Sequence, residues 1–126
     1  ALPLEVCLSS NMQLGLYPSL ADHPLRRLVE GGCTVSINTD DPVLFGTTLG
    51  REYLLAMRDC GMDMAFVRQQ VLNALQSSYL EDLDKQRLIA ECRRRFQWLD
   101  DGGPADPSHS LRSNNKEPGE NSYRKI

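Results

Sequence analysis

Asp40 and Asp41 are adjacent carboxylates followed directly by Pro42, where Val35 and Ile37 have alternated with Ser36, Asn38 and Asp40. Alternation with a period of two reads as a strand whose faces differ. Along a continuing strand the two aspartates would point to opposite faces, so a single pocket could use both only if the strand ends there. Pro42 favours that ending, because it has no N–H for the ladder and pushes Asp41 towards an extended conformation. The pair then falls at the C-terminal end of a strand, where α/β folds place ligands and catalytic groups. Taken by itself, an Asp-Asp-Pro at such a place reads equally as a metal or ligand site and as the cap of a turn.

The elements that must position this pair can be read in order. Residues 1–8 alternate as a strand, with Leu4, Val6 and Leu8 on one face and Glu5 and Cys7 on the other. A polar loop over 9–22 would lie across the mouth of a site. Next comes a short helix with Pro24 in its first turn, Asp22 or His23 as cap, and an apolar stripe of Leu25, Leu28 and Val29. Gly31 and Gly32 end it, and the second strand starts at Cys33 or Thr34. Strand, helix and strand imply a right-handed crossover and two parallel neighbours.

Three packing helices follow. The first, over 49–60, carries Tyr53, Leu54 and Met57 at helical spacing and stops at Gly61. Asp63 can cap the second, whose face is Phe66, Val67, Val71, Ala74, Leu75 and Ser78. The third, over 81–99, uses Leu88, Ile89, Cys92, Phe96 and Leu99. Residues 100–126 are polar, with too little apolar content to offset chain entropy, and read as a disordered tail.

Composition narrows the function classes. At 126 residues, with 25% charged and 40% apolar positions, the chain reads as one modest soluble domain. A net charge of -3 without a long basic face gives no reason to expect nucleic acid. Apolar runs fall short of the ~20 residues that span a bilayer, and the N-terminus lacks a signal-peptide pattern. Cys7, Cys33, Cys60 and Cys92 are scattered without a Cys-x-x-Cys pair, which points to reduced, mostly buried thiols and a cytoplasmic protein; their even number leaves two disulfides open. The cytidine-deaminase zinc signature, His-x-Glu followed by Pro-Cys-x-x-Cys, does not occur.

The stretch TVSINTDDPVLFG at 34–46 resembles the last barrel strand of the adenosine deaminase family, within the metal-dependent amidohydrolase superfamily. The resemblance runs from about residue 4 to residue 80 in blocks that keep the family's order and about its spacing. These are LEVCLSSN at 4–11, HPLRRLVEGG at 23–32, INTDDP at 37–42, TTLGREY at 47–53 and NALQSSYL at 73–80. Leu8 departs from the pattern, since many members have proline after the cysteine; the difference concerns a turn.

What the resemblance implies is an α/β fold of the (β/α)8 TIM-barrel type. Such a barrel takes eight strands and about 250 residues, so residues 1–99 would be its C-terminal part: the last two strands and their helices. The implied activity is zinc-dependent hydrolytic deamination of adenosine to inosine, with one zinc per intact subunit. Carried over by position, Asp40 would bind the zinc and hydrogen-bond its water, and Asp41 would contact purine N7. Because N7 accepts hydrogen bonds, Asp41 must either be protonated or meet a protonated intermediate.

Other parts of that machinery do not occur in this stretch. The family also uses a His-x-His pair, a further histidine ligand, a glutamate acid and a histidine that assists the water. Only His23 and His109 are present, and they read as a helix-start residue and a tail residue. One aspartate does not hold a catalytic zinc, which normally takes three protein ligands. The 126 residues alone are thus expected to be inactive and to need a preceding barrel segment for folding. Among further candidates, Glu5 reads as a buried structural carboxylate, Ser9, Ser10 and Asn11 as ligand-positioning or loop-capping residues, and Arg93 to Arg95 as a solvated helix face. Deaminases of adenine or N6-substituted AMP share the Asp-Asp block. A different class of reading is a non-catalytic truncated or paralogous protein that serves as a scaffold or interaction partner.

Overall fold

Val35 and Ile37 form the expected strand. The computed structural model describes residues 2–103, and within it β2 (Val35–Ile37) pairs in parallel with β1 (Leu4–Val6). The register sets Leu4 against Val35, Glu5 against Ser36 and Val6 against Ile37. Between the strands lie α1 (Leu8–Gln13), a 3-10 turn (Leu20–Asp22) and α2 (Leu25–Glu30). After β2 come α3 (Leu49–Arg58), α4 (Met64–Ser77) and α5 (Asp82–Asp100). Val6, Leu8, Leu25, Val35, Ile37, Ala56, Cys60 and Phe66 make the buried core. Both strands and the first four helices contribute to it.

Local signals account for several boundaries. Thr48 accepts the Arg51 N–H at 3.2 Å to cap α3, and Asp63 accepts the Phe66 N–H at 2.8 Å to cap α4, as expected. Gly61 is required by its backbone, and the Arg26 side chain packs close against it. Its φ of 66° is left-handed, and a β-carbon there would sit 2.5 Å from Nη2 of Arg26, which donates to the Gly61 carbonyl.

Other expectations change. The first strand is Leu4–Val6 rather than 1–8, and the segment read as a loop begins with a helix. Leu8, fully buried, is the first helical residue of α1, so the departure at Leu8 concerns a helix start rather than a turn. Proline suits that position because its missing N–H would be unpaired there anyway. In α3 the buried residues are Glu52 and Ala56, while Leu54, expected on the apolar stripe, is 66% exposed. In α4 the inward face holds Gln70 and Asn73 beside Phe66, and Ala74 is exposed. Helix α5 buries no residue fully; Ile89, Cys92 and Phe96 are half-buried, whereas Leu88 and Leu99 are exposed. Asp100, assigned above to the tail, completes α5 and forms a two-pronged pair with Arg68, which also lies over the Phe96 ring. The rest of that tail, from 104 onwards and including His109, lies outside the described residues.

The polar side of α4 has a physical reason. Leu4 donates to the Thr34 carbonyl and Asn38 donates to the Val6 carbonyl, so even-numbered residues of the second strand turn their backbone towards β1. Val35 and Ile37 therefore turn theirs to the opposite edge. Asn73 Nδ2 donates to the Val35 carbonyl there at 2.6 Å, and Gln69 in turn donates to Asn73. Gln70, only 2% exposed, has a buried Oε1 without a hydrogen-bond partner.

Open strand edges and a row of exposed apolar residues, among them Leu2, Leu14, Leu16, Val43 and Leu44, favour association. Residues 1–126 expressed alone are expected to self-associate or remain partly unfolded in analytical ultracentrifugation and thermal melts. A monodisperse monomer with one cooperative transition is the contrary result.

Candidate active site

Beyond β2 the chain passes through Asn38 and Thr39 to Asp40, whose φ of 56° is left-handed. Aspartate is one of the few residues besides glycine that tolerates this conformation. The strand alternation is thus broken at Asp40 itself, one residue before the place that Pro42 would mark. Ser10, in the first turns of α1, donates its hydroxyl to Asp40 Oδ2 at 2.8 Å. The parallel register makes this contact possible, since it brings the C-terminal ends of Val6 and Ile37 level.

Asp41 is exposed and does a different job. Its Oδ1 accepts the Val43 N–H at 3.0 Å and the Leu44 N–H at 2.8 Å, capping the turn that follows. Phe45 donates to the Asp41 carbonyl, and Gln13 at the end of α1 donates to the Phe45 carbonyl at 2.7 Å. The turn-capping alternative therefore holds for one oxygen of Asp41. Oδ2 of Asp41 takes no part in that cap.

Behind the pair is a buried polar cluster. Glu52 is 0% exposed, with Oε2 accepting the Ser9 N–H at 3.1 Å and Oε1 accepting the Thr47 hydroxyl at 2.6 Å. The Ser9 hydroxyl donates to Thr47 Oγ1 at 3.4 Å. Ser9 and Ser10 are buried helical residues rather than residues of a mouth loop. Cys7, between β1 and α1, has its thiol pushed up by burial first and then by the Asp40 charge, against a backbone hydrogen bond from Asp40.

Glu5 corrects another expectation: it is exposed, because no described element covers its face of β1. All four cysteines are free thiols, of which Cys60 is buried and Cys33 exposed. His23 keeps the helix-start role. It is buried, and its Nδ1 accepts the Leu25 N–H at 3.1 Å. On its other side Nε2 lies 3.0 Å from Asn11 Nδ2, and Tyr17 meets the ring edgewise.

Among the described residues no group of three or more His, Cys, Asp or Glu converges as a metal site would. Asp40 fits one corner of such a site, and the donors present here do not complete it. A hollow of about 640 Å³ on α5, lined by residues such as Leu80, Arg87 and Glu91, contains neither Asp40, Asp41 nor the polar cluster behind them. No helix among the described residues is long and apolar enough to cross a membrane.

Comparison with known proteins adds a lineage to this geometry. Residues 1–94 match the family model for adenosine deaminase. Adenosine deaminase of Vibrio cholerae is 41% identical over 92 residues, which make up 73% of this chain and 28% of that protein. The solved structure of adenine deaminase from Arthrobacter aurescens superposes with a TM-score of 0.72 at 29% identity, over 76% of this chain and 29% of that one. N6-methyl-AMP deaminase from Arabidopsis thaliana gives 0.67 at 29% identity, over 73% and 27%. This chain belongs to the adenosine deaminase family, a group of hydrolases in the amidohydrolase superfamily. It spans less than a third of the length of these relatives.

Reading residues alone singled out Asp40 and Asp41 and missed Glu52. The available signal was a carboxylate three and four residues before Leu55 and Ala56, on the inward side of an amphipathic helix.

Burial lowers the His23 pKa below its ordinary 6.5. The unfolded chain then takes up a proton as pH falls below about 6.5 while the folded one resists, so stability declines on that side until the lowered folded value is passed. Denaturant titrations of the whole protein are expected to show this acid-side loss, and His23→Gln is expected to flatten it. Parallel pH profiles for the two proteins would count against the role given to His23.

Proposed function

We propose that this chain is the C-terminal part of a (β/α)8 barrel, comprising its last two strands and the helices after them, with residues 1–99 belonging to the barrel and 100–126 largely to a tail. The whole protein would be a cytoplasmic purine deaminase that converts adenosine to inosine at one zinc ion. Carrying the reading is the Asp40–Asp41 pair, just past the C-terminal end of a parallel strand, in a chain of this family. The orphaned Gln70 Oε1 and the edge of β2 support it as surfaces suited to further strands and helices.

Each aspartate has one oxygen engaged locally. Asp40 Oδ2 is held by Ser10, which leaves Oδ1 for a metal supported by ligands from outside these residues. Bound zinc would supply hydroxide at neutral pH, because it lowers the pKa of its water to about 7. Asp41 Oδ1 is held by two backbone N–H groups, which leaves Oδ2 to face purine N7. An acceptor at N7 requires a proton between the two, carried by Oδ2 or already on the purine. The free thiols accord with a cytoplasmic setting.

The family spans adenosine, adenine and N6-methyl-AMP deaminases, which sets the substrates to compare. Ammonia release by the whole protein is expected to be fastest with adenosine. Asp40→Ala is expected to lose zinc and activity together. Asp41→Asn is expected to keep zinc and its turn while lowering kcat by roughly 10²-fold or more, the usual scale for a lost transition-state contact. Preference for adenine or N6-methyl-AMP would reassign the substrate. A folded whole protein without zinc or ammonia release would support the scaffold reading instead.

A further inference from the structure

We propose that Glu52 is a positioning residue for Asp40, acting through the first turn of α1. Helix α1 begins at Cys7, which provides no side-chain cap. The first N–H groups of a helix lack partners within it, and one of these, on Ser9, donates to Glu52 Oε2 at 3.1 Å. A carboxylate from α3 thus supplies the cap that the local sequence lacks, and its charge suits the positive end of the helix dipole.

Glu52 is completely buried, and both of its partners, the Ser9 amide and the Thr47 hydroxyl, are neutral. A carboxylate buried without a cation opposes folding unless its oxygens are well satisfied. Here each oxygen has one short-range donor, and the two donors come from opposite sides of the site: α1 and the residue before the α3 cap. The carboxylate therefore clamps these two segments together. The next residue along α1 is Ser10, whose hydroxyl holds Asp40 Oδ2 at 2.8 Å. Asp40 sits in a left-handed backbone conformation, and the Ser10 hydroxyl fixes where its Oδ2 lies. Displacing the first turn of α1 moves the hydroxyl that holds Asp40 Oδ2.

This inference rests on Asp40 being a zinc ligand, and the experiment separates the two claims. Zinc dissociation constants would be measured by chelator competition on the whole protein, with folding checked by circular dichroism, for Ser10→Ala, Glu52→Gln and the double variant. Each single change is expected to weaken zinc binding roughly tenfold or more, the scale of outer-shell partners. The double variant should be no weaker than the worse single one, because both changes break one path. Zinc affinity within about twofold of wild type for folded Glu52→Gln, or independent multiplicative effects, would overturn the proposal. Should Glu52→Gln fail to fold, Thr47→Val removes only the donor on Oε1; it is expected to weaken zinc binding and to couple to Ser10→Ala, and unchanged affinity there overturns the proposal equally. Unchanged zinc binding by Asp40→Ala would instead remove the reading beneath it.

Discussion

Two strands of three residues each share a single parallel register, and the candidate site depends on which ends that register brings level. Val6 and Ile37 finish side by side, so the helix that follows one strand stands next to the bend that follows the other. The Ser10 hydroxyl and the Asp40 carboxylate meet across that gap. A slip of one residue would turn the backbone of β2 the other way and send Val35 and Ile37 out of the core.

Polar groups, more than apolar area, make the interior specific. Glu52, Asn73 and His23 are all buried, and each answers a backbone group that its own element leaves unpaired: the Ser9 amide, the Val35 carbonyl and the Leu25 amide. In each case a helix end or a strand edge is sealed by a side chain. Gln70 is the counterexample, buried on the same face of α4 as Asn73 with its Oε1 unanswered. Buried acceptors are normally paired, and on this face Gln70 is the exception.

Features written into short stretches were legible in the sequence: the alternation around Val35 and Ile37, the cap at Asp63 and the stop at Gly61, whereas the N-cap of α2 is Pro24 rather than Asp22 or His23. Each depends on residues within one turn of one another. Helix α1 was not legible, because Ser9, Ser10 and Asn11 are loop formers by local preference. Their partners lie far along the chain, 43 residues away for Glu52 and 30 for Asp40. The facing of α3 and α4 was misjudged for the same reason, since counting only apolar residues overlooks Glu52, Gln70 and Asn73. The aspartate pair itself could be read because a strand, two carboxylates and a proline are contiguous, whereas aspartate's tolerance of left-handed backbone does not say which of the two takes the bend.

Whether Asp40 binds the metal can be tested directly by anomalous diffraction at the zinc absorption edge from crystals of the whole protein. The account predicts a zinc peak about 2.0 to 2.2 Å from Asp40 Oδ1, with the Ser10 hydroxyl still on Oδ2. Zinc bound elsewhere, with Asp40 engaged by Ser10 alone, would contradict it.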